Sequence, residues 1–241
     1  MVSIAQLALL ATLVLAPASG VPQTCIGCDF SGSDLHGRDM HAITWTGTDL
    51  RRANLQSTDL RDAKLAGVDF QKADLRGADL RNSHLAGVDL QGAKLAGARF
   101  GGAQLAGVDL THGVLDGLPD SQLRDLLGNC AGCDMSDVDL HGKDLHGISI
   151  VGSDLSGANL RAANLSGSVL CAHSERWSRD GVTRVSGKVA CADLSGADLH
   201  GTDLRGVKLC DDARGRGDCR QVDSSTLRDA AHANLSGAIG P

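Results

Sequence analysis

The sequence predicts an all-β solenoid, a fold in which short repeated units wind into one continuous coil. A large apolar residue, usually leucine, recurs every fifth position from Leu35 to Leu115. A period of five fits neither the helical period of 3.6 nor the strand period of two, so amphipathic helices and hairpins do not explain it. The composition agrees, because 31 Gly, no Tyr and 2% aromatic residues would fill a conventional globular core poorly. We expect the interior to be narrow and to exclude large aromatic side chains.

Each five-residue unit is expected to bury two side chains. We call the recurring large apolar residue the centre; in the unit around Leu75, the small residue Ala73 comes two positions earlier and Asp74 lies between them. Residues two apart in an extended segment share a face, so Ala73 and Leu75 point inward while Asp74 and the next two residues face water. Gly77 and other glycines at the last position permit a sharp bend. Four such bends per turn would give a square-sided coil.

The units Ala73-Asp74-Leu75-Arg76-Gly77 and Ala78-Asp79-Leu80 carry a resemblance to a known family. They resemble the A-[DN]-L-x-x consensus of the pentapeptide-repeat family, and the likeness covers most of the chain after the first 24 residues. The resemblance implies a right-handed quadrilateral β-helix with about four pentapeptides per coil. It implies little about function, because a fold is shared by proteins with many roles.

A longer repeat is superimposed on the short one. Residues 25–50 and 130–155 share a CxxC start and several Asp, Leu and His positions at an offset of 105 residues. The segments 121–125 and 225–229 also correspond, and each follows a polar cluster that could begin a short helix. We therefore predict a first module at 25–117, a short helix and boundary at 118–129, and a second module at 130–241. The sequence leaves open whether the modules stack as one rod or form two domains.

Solenoid ends need capping, since a terminal coil exposes strand edges and an open apolar interior. The three candidate caps are the Cys25–Cys28 start, the helix around Leu123 and the helix around Leu227.

The first residues have the pattern of a targeting segment. Ile4 to Leu15 is almost continuously apolar, and Ala16-Pro17-Ala18 provides an A-x-A cleavage signal. This pattern predicts a signal peptide at 1–18 and export to the periplasm or the extracellular space. The alternative is an N-terminal membrane anchor, but the apolar stretch is shorter than the ~20 residues that span a bilayer. No membrane span is expected in the mature chain.

Eight cysteines agree with export, because an even number in an exported chain is commonly paired. They form four local pairs, which we predict to be disulfides: Cys25/Cys28, Cys130/Cys133, Cys171/Cys191 and Cys210/Cys219. The last two pairs would close loops 171–191 and 210–219, where the repeat is interrupted. The two CxxC pairs leave a second reading open, a four-thiolate zinc site or a thiol-redox centre. Zinc would require both pairs to meet in space.

No catalytic site, metal site or cofactor is expected. The chain has one Glu, Glu175, and no G-x-S-x-G motif, and a filled coil has no interior pocket. Four histidines follow a centre residue by one and should face outward on adjacent sides of the coil, too far apart to share a metal: His36, His41, His141 and His146.

Charge argues against nucleic-acid partners. The net charge is −6 and the pI near 5.8, with no basic stripe. Residues 29–116 contain 12 acidic and 10 basic side chains, and residues 117–241 contain 17 and 13. The resemblance implies one further activity, since some members of the family imitate DNA and bind type II topoisomerases. Such a protein should carry a high density of negative charge on its surface. Binding to a topoisomerase by imitating DNA therefore ranks third, after an exported interaction scaffold and a CxxC-based zinc or redox module.

Loop 171–191 is the most plausible contact surface for a partner. It contains Trp177 among several cations, around a turn at 179–182. The candidate contact residues are Arg176, Trp177, Arg179, Arg184 and Lys188. Alternatively, Trp177 simply covers the side of the coil. The leading functional hypothesis is a non-catalytic exported scaffold that engages a protein or an envelope surface. The sequence specifies neither the partner nor the oligomeric state.

Overall fold

The computed structural model describes residues 20–177, 184–210 and 219–240. The predicted signal peptide, the loop tip with Arg179 and most of loop 210–219 lie outside these ranges. The described chain is a right-handed, four-sided β-solenoid, so the predicted fold is confirmed. Most centre residues and most residues two positions before them are buried, as Ala73, Leu75 and Leu80 illustrate, each with no exposed surface. Near the N-terminal end, Phe30 is half-buried and Arg38 is exposed.

One side of the coil, which we call face 1, is a parallel sheet of six short strands in chain order. These strands are β1 (Thr24–Ile26), β2 (Thr44–Thr46), β3 (Lys64–Ala66), β4 (His84–Ala86), β5 (Gln104–Ala106) and β6 (Cys130–Ala131). Successive strands start 20 residues apart through β5, which is four five-residue units per turn. At roughly 4.8 Å between stacked strands, each turn lengthens the rod by that amount.

The other three sides are stacked single-residue β-bridges. Face 2 is an unbroken column of eight aspartates: Asp29, Asp49, Asp69, Asp89, Asp109, Asp134, Asp154 and Asp193. Face 3 begins with Asp34, Asn54 and Asp74, and face 4 with Asp39, Asp59 and Asp79. The column on face 2 crosses the predicted module boundary, and β5 pairs with β6. The two arrays therefore stack into one continuous coil.

Helix α1 (Asp120–Leu127) lies inside this stack. The side chain of Gln122 bonds to Leu95 and Gly97 on one side, and the Arg124 Nη1 donates to the carbonyl oxygen of Asp144 at 2.9 Å on the other. The helix thus replaces the units of faces 3 and 4 in one turn, while faces 1 and 2 continue past it. The expectation that the helix around Leu123 caps an end is wrong, because both sides of the helix are occupied by coil.

The second array departs from the coil at a longer, four-stranded sheet with order β10-β9-β7-β8. Its strands are β7 (Val169–Trp177), β8 (Arg184–Cys191), β9 (Lys208–Cys210) and β10 (Cys219–Gln221). β7 and β8 form an antiparallel hairpin, β7 and β9 are parallel, and β9 and β10 are antiparallel. Because the hairpin is inserted, Asp154 bridges to Asp193 rather than to a residue 20 positions later.

The C-terminal end is closed by α2 (Ser224–Ala230) and a last partial turn. Leu227 is fully buried, and the carbonyl oxygen of Ala231 accepts the N–H of Leu194 at 2.8 Å. The repeat unit that restarts at Ala233 continues the coil, since Gly201 donates to the carbonyl oxygen of Gly237 at 2.7 Å.

Three large aromatic side chains occupy the interior, contrary to the expectation from the narrow coil. Trp45, Phe70 and Phe100 stand at centre positions and have no exposed surface. Trp45 fits near the N-terminal end, where Phe30 stacks on it with ring centroids 5.1 Å apart and the indole Nε1 donates to the carbonyl oxygen of Pro22 at 3.0 Å. The end of the coil therefore supplies both room and a polar partner for the largest side chain.

Candidate interaction surfaces

The aspartates of face 2 have a structural role in every unit. The carboxylate of Asp89 accepts the backbone N–H of Gln91, two residues later, at 2.9 Å, and the other seven aspartates of the column make the same bond. This Asx-type bond holds the start of the corner turn. Asn159 and Asn164 make the bond with the amide oxygen. The preference for Asp or Asn before the centre thus follows from the turn.

Several carboxylates are also paired with an arginine two residues later. Arg61 and Arg81 each reach back to the carboxylate of their own unit, with Nη2–Oδ2 distances of 2.5 and 2.6 Å to Asp59 and Asp79. The side-chain hydrogen bonds from these arginines lower the pKa of both carboxyls. The same pairing joins Asp49–Arg51, Asp74–Arg76 and Asp203–Arg205. The acidic columns are consequently interrupted by neutralising cations.

Face 1 differs from face 2 in charge. The residues before its first five centres carry no carboxylate: Thr24, Thr44, Lys64, His84 and Gln104. The residues that follow these centres carry no charge at all. One of them, Ile26, is 87% exposed. Over its first five turns, face 1 is therefore a surface without carboxylates next to an aspartate column.

A concavity of about 340 Å³ lies at the corner between faces 2 and 3. It is lined by Ser31, Gly32, Arg51, Arg52, Gln71 and Lys72, which come from three successive turns. The sequence-based reasoning overlooked this corner. The available signal was the presence of Arg52 and Lys72 at the last position of their units, where Gly32 and Gly92 stand in the turns on either side.

The structure brings each predicted cysteine pair together. The Cα–Cα distances are 6.0 Å for Cys25–Cys28, 5.8 Å for Cys130–Cys133, 4.0 Å for Cys171–Cys191 and 4.1 Å for Cys210–Cys219, and the two sulfur atoms of every pair lie within bonding distance. Disulfide-bonded cysteines usually have Cα atoms about 4.4–6.8 Å apart. The two CxxC pairs lie within this range, and the other two pairs lie just below it.

The two CxxC pairs lie far apart along the coil. Cys25 is on β1 and Cys130 on β6, which are separated by four intervening strands and hence by roughly 24 Å at about 4.8 Å per strand. Cys130 and Cys133 are almost fully buried. A single zinc ion bound by both pairs is excluded, because Zn–S bonds are about 2.3 Å long.

The predicted partner-contact residues belong to the β7–β8 hairpin. Arg176 pairs in register with Val185, and Trp177 pairs with Arg184 in the last rung. Lys188 lies on β8, and Arg179 lies outside the described ranges. The backbone therefore brings Trp177 and Arg184 together at the far end of the hairpin, while Cys171 and Cys191 pair at its base.

The four histidines singled out in the sequence are exposed and separate. His41 Nδ1 lies 3.6 Å from Asp62 Oδ2, and His146 Nδ1 lies 2.9 Å from Asp144 Oδ1. His36 and His141 are also at the surface. Within the described ranges, no group of three or more His, Cys, Asp or Glu side chains is arranged to hold a metal ion. No helix in that part of the chain is long and apolar enough to cross a membrane.

Solved structures of other proteins resemble this chain at low sequence identity. QnrB1, a plasmid-mediated fluoroquinolone resistance protein, is 20% identical over 90% of this chain and 89% of its own, with a TM-score of 0.37. HetL from the cyanobacterium Nostoc sp. strain PCC 7120, a pentapeptide repeat protein involved in heterocyst differentiation regulation, is 21% identical over 82% and 89%, with a TM-score of 0.34. A pentapeptide repeat protein from the Arabidopsis thaliana thylakoid lumen is 22% identical over 66% and 72%, with a TM-score of 0.23.

No curated protein sequence matches the chain significantly. The family model described as pentapeptide repeats matches in eight copies, at residues 46–82, 83–117, 129–171 and 190–211. These ranges cover more than half of the 241 residues and coincide with the stacked turns of the coil. The chain therefore belongs to the pentapeptide-repeat family.

Proposed function

We propose that this protein is a non-catalytic, exported interaction scaffold that contacts a protein or an envelope surface through the β7–β8 hairpin. The observation that carries the proposal is the change in strand length at this point. The strands of face 1 have two or three residues, whereas β7 has nine and β8 has eight. The two strands leave the coil as a projection, and projections on rigid scaffolds commonly carry binding residues.

The base of the hairpin is well anchored. β7 is hydrogen-bonded to both β8 and β9, and the buried Cys171 faces Cys191 across the first rung. A disulfide there would limit the freedom of the 20-residue excursion. Such pre-organisation lowers the entropy cost of binding.

Composition favours the end of the hairpin as the contact. Trp and Arg are the residue types most enriched at binding hot spots, and Arg176, Trp177 and Arg184 are concentrated in the last two rungs. Lys188 adds a further cation on β8. We expect a partner with an acidic or aromatic surface.

The alternative functions have less support. The CxxC pairs are too far apart for a shared zinc ion, and three of their four cysteines are buried, which hinders redox exchange with a second protein. A DNA mimic would need carboxylates free to present their charge, whereas Asp49, Asp59, Asp74, Asp79 and Asp203 are paired with arginines.

Export is tested by the intact mass of the protein recovered from the culture. A chain that begins near Ser19 and is about 8 Da lighter than its sequence would carry four disulfides, since each bond removes two hydrogens. An uncleaved N-terminus, or thiols that alkylate without reduction, would contradict export or the disulfide set.

Partner contact is tested by capture from the exported and envelope fractions. The test variant is Trp177→Ala/Arg184→Ala, and the control is Lys64→Ala on exposed face 1 of the first array. We expect the control to retain the proteins captured by the unaltered chain and the hairpin variant to lose them, with equal circular dichroism spectra. Equal capture by all three chains would remove the hairpin from the function.

A further inference from the structure

The corner between faces 2 and 3 presents three cations within two turns of the coil. Arg51, Arg52 and Lys72 line its concavity with Ser31, Gly32 and Gln71, and none of the six residues is acidic. The aspartates of face 2 lie beside these cations, so the concavity is a cationic strip bordered by an acidic column.

The three cations are not equivalent. Arg51 is held by Asp49, with an Nη2–Oδ2 distance of 2.5 Å, and its Nε lies 3.6 Å from Asp69 Oδ2. Within the described ranges, Arg52 and Lys72 have no ion pair, and both are exposed. Arg52 and Lys72 therefore keep their charge available at the concavity.

The backbone fixes these two cations close together. The N–H of Arg52 donates to the carbonyl oxygen of Gln71 at 2.9 Å, so Arg52 and Lys72 occupy equivalent places in adjacent turns, about 4.8 Å apart. Like charges at that spacing repel each other. Both residues also have positive φ, 58° and 59°, where Gly32 and Gly92 stand in the neighbouring turns. Positive φ recurs at the last position of units throughout the coil, as at Ser57 and Asn82, so it belongs to the corner turn and fixes where the two side chains leave the backbone.

The rest of the concavity is open and polar. No atom lies within 4 Å of where a Cβ on Gly32 would be, so the first turn leaves space beside the cations. Gln71 uses its Nε2 to donate to Asp89 Oδ2 at 2.6 Å, which leaves its amide oxygen as an acceptor. The Ser31 hydroxyl is both donor and acceptor. The volume of about 340 Å³ is at the lower end of the range of ~300–1000 Å³ for small-molecule sites.

We infer that this corner binds the tetrahedral oxyanion of a phosphorylated or sulfated ligand of sugar size. Arg52 and Lys72 bind the oxyanion from two adjacent turns through charge-assisted hydrogen bonds. The Oε1 of Gln71 and the hydroxyl oxygen of Ser31 accept hydrogen bonds from sugar hydroxyls. The site lies in the first array, away from the hairpin. It is a second binding function, separate from the proposed partner contact.

The test titrates the full mature chain with glucose 6-phosphate, glucose 6-sulfate and glucose at low ionic strength, followed by amide chemical shifts. We expect saturable shifts at Gly32, Arg52 and Gln71 with one or both esters and none with glucose. The relative affinity of the two esters distinguishes phosphate from sulfate as the natural oxyanion.

The site variant is Arg52→Gly/Lys72→Gly, which removes two charges and places glycine where positive φ suits it. Its affinity for the better ester should fall at least tenfold without loss of thermal stability. The matched control is Lys64→Ala/Arg161→Ala, which removes the same charge from exposed positions elsewhere and should bind like the unaltered chain.

Two results would overturn the inference: no saturable shift with either ester, or equal weakening in the site variant and the charge-matched control. The Trp177→Ala/Arg184→Ala hairpin variant should bind the ester normally. The oxyanion site and the partner contact can therefore fail separately.

Discussion

The side-chain Nε2 of Gln122 donates a hydrogen bond to the carbonyl oxygen of Leu95. The Oε1 of the same side chain accepts the N–H of Gly97 at 3.1 Å. In the preceding turn the equivalent N–H of Gly77 donates to the carbonyl oxygen of Ala96, so Gln122 Oε1 takes the place of a carbonyl of the next turn. The carbonyl oxygen of Leu95 also accepts the N–H of Ala98 at 2.8 Å. Gln122 thus substitutes for a missing pentapeptide and lets a helix sit within the stack.

Replacing Gln122 by alanine should lower stability, because it removes two side-chain hydrogen bonds and leaves the N–H of Gly97 without its protein partner, while the carbonyl oxygen of Leu95 keeps the N–H of Ala98. Each lost hydrogen bond costs about 0.5–1.5 kcal/mol, so we expect the free energy of unfolding to fall by about 1–3 kcal/mol. Urea unfolding followed by circular dichroism would measure the loss. Ser121→Ala, an exposed change on the same helix, is the control and should cost little. Equal effects of the two substitutions would show that Gln122 does not bear this role.

The Asx-type bonds predict a sharp difference between two substitutions at Asp154. The carboxylate accepts the N–H of Ser156 at 2.8 Å. Asp154→Asn keeps an acceptor oxygen, and should leave stability within about 0.5 kcal/mol, whereas Asp154→Ala removes the acceptor and should cost about 1 kcal/mol. Thermal unfolding of the two variants would measure both effects. A less stable Asn variant would mean that charge, rather than the turn bond, selects this residue.

The paired carboxylates predict loss of stability in acid. Hydrogen bonds from arginine lower the pKa of Asp59, Asp74 and Asp79 below 3.8. A lowered folded pKa contributes stability that is present above the unfolded pKa and is lost as the pH falls through the folded pKa. The free energy of unfolding should therefore decline as the pH falls below the ordinary aspartate pKa of about 3.9.

Titration of two variants checks the cause of that decline. Arg61→Gln/Arg81→Gln should show a shallower decline, because the carboxyls return toward their ordinary pKa. Arg161→Gln, at a position next to Asn159 rather than a carboxylate, should keep the steep decline of the unaltered chain. Identical slopes in all three chains would contradict the assignment to these ion pairs.

The cysteine pairs should differ in their effect on stability. In the loop-entropy model, a bond that closes the 20-residue separation of Cys171 and Cys191 contributes about 3 kcal/mol, and one between Cys25 and Cys28 contributes about 2 kcal/mol. Double alanine variants of each pair, compared by urea unfolding of the oxidised protein, would measure the difference. A reversed order would mean that packing of Cys25 against its neighbours outweighs loop entropy.

The five-residue period was sufficient to predict which side chains point inward, because each unit follows the same local rule. Ala73 and Leu75 show this: two residues apart, they share the buried face. The sequence predicted a short helix at 118–129, where α1 is found, but not its position inside the stack. That position depends on contacts of Gln122 and Arg124 with residues 20 or more positions away, which leave no mark on the local period.

The two candidate sites also differ in whether local sequence reveals them. The hairpin could be located from the interruption of the repeat and from the positions of Cys171 and Cys191. The concavity was missed because Arg52 and Lys72 are 20 residues apart in sequence and become neighbours only when the coil closes. Trp45 was misjudged because the composition describes an average turn, whereas the indole occupies an end of the coil where Pro22 and Phe30 cover it.

Because face 1 and face 2 differ in charge, negative charge is distributed unevenly around the long axis of the rod. One long side displays eight aspartates and the adjacent side shows no carboxylate before its first five centres. Near a negatively charged surface, such a rod experiences a torque about its own axis, because the aspartate side is repelled more strongly than its neighbour. The rod would therefore approach that surface with its aspartate side turned away. Segments that project from the coil would then have a defined orientation relative to the surface.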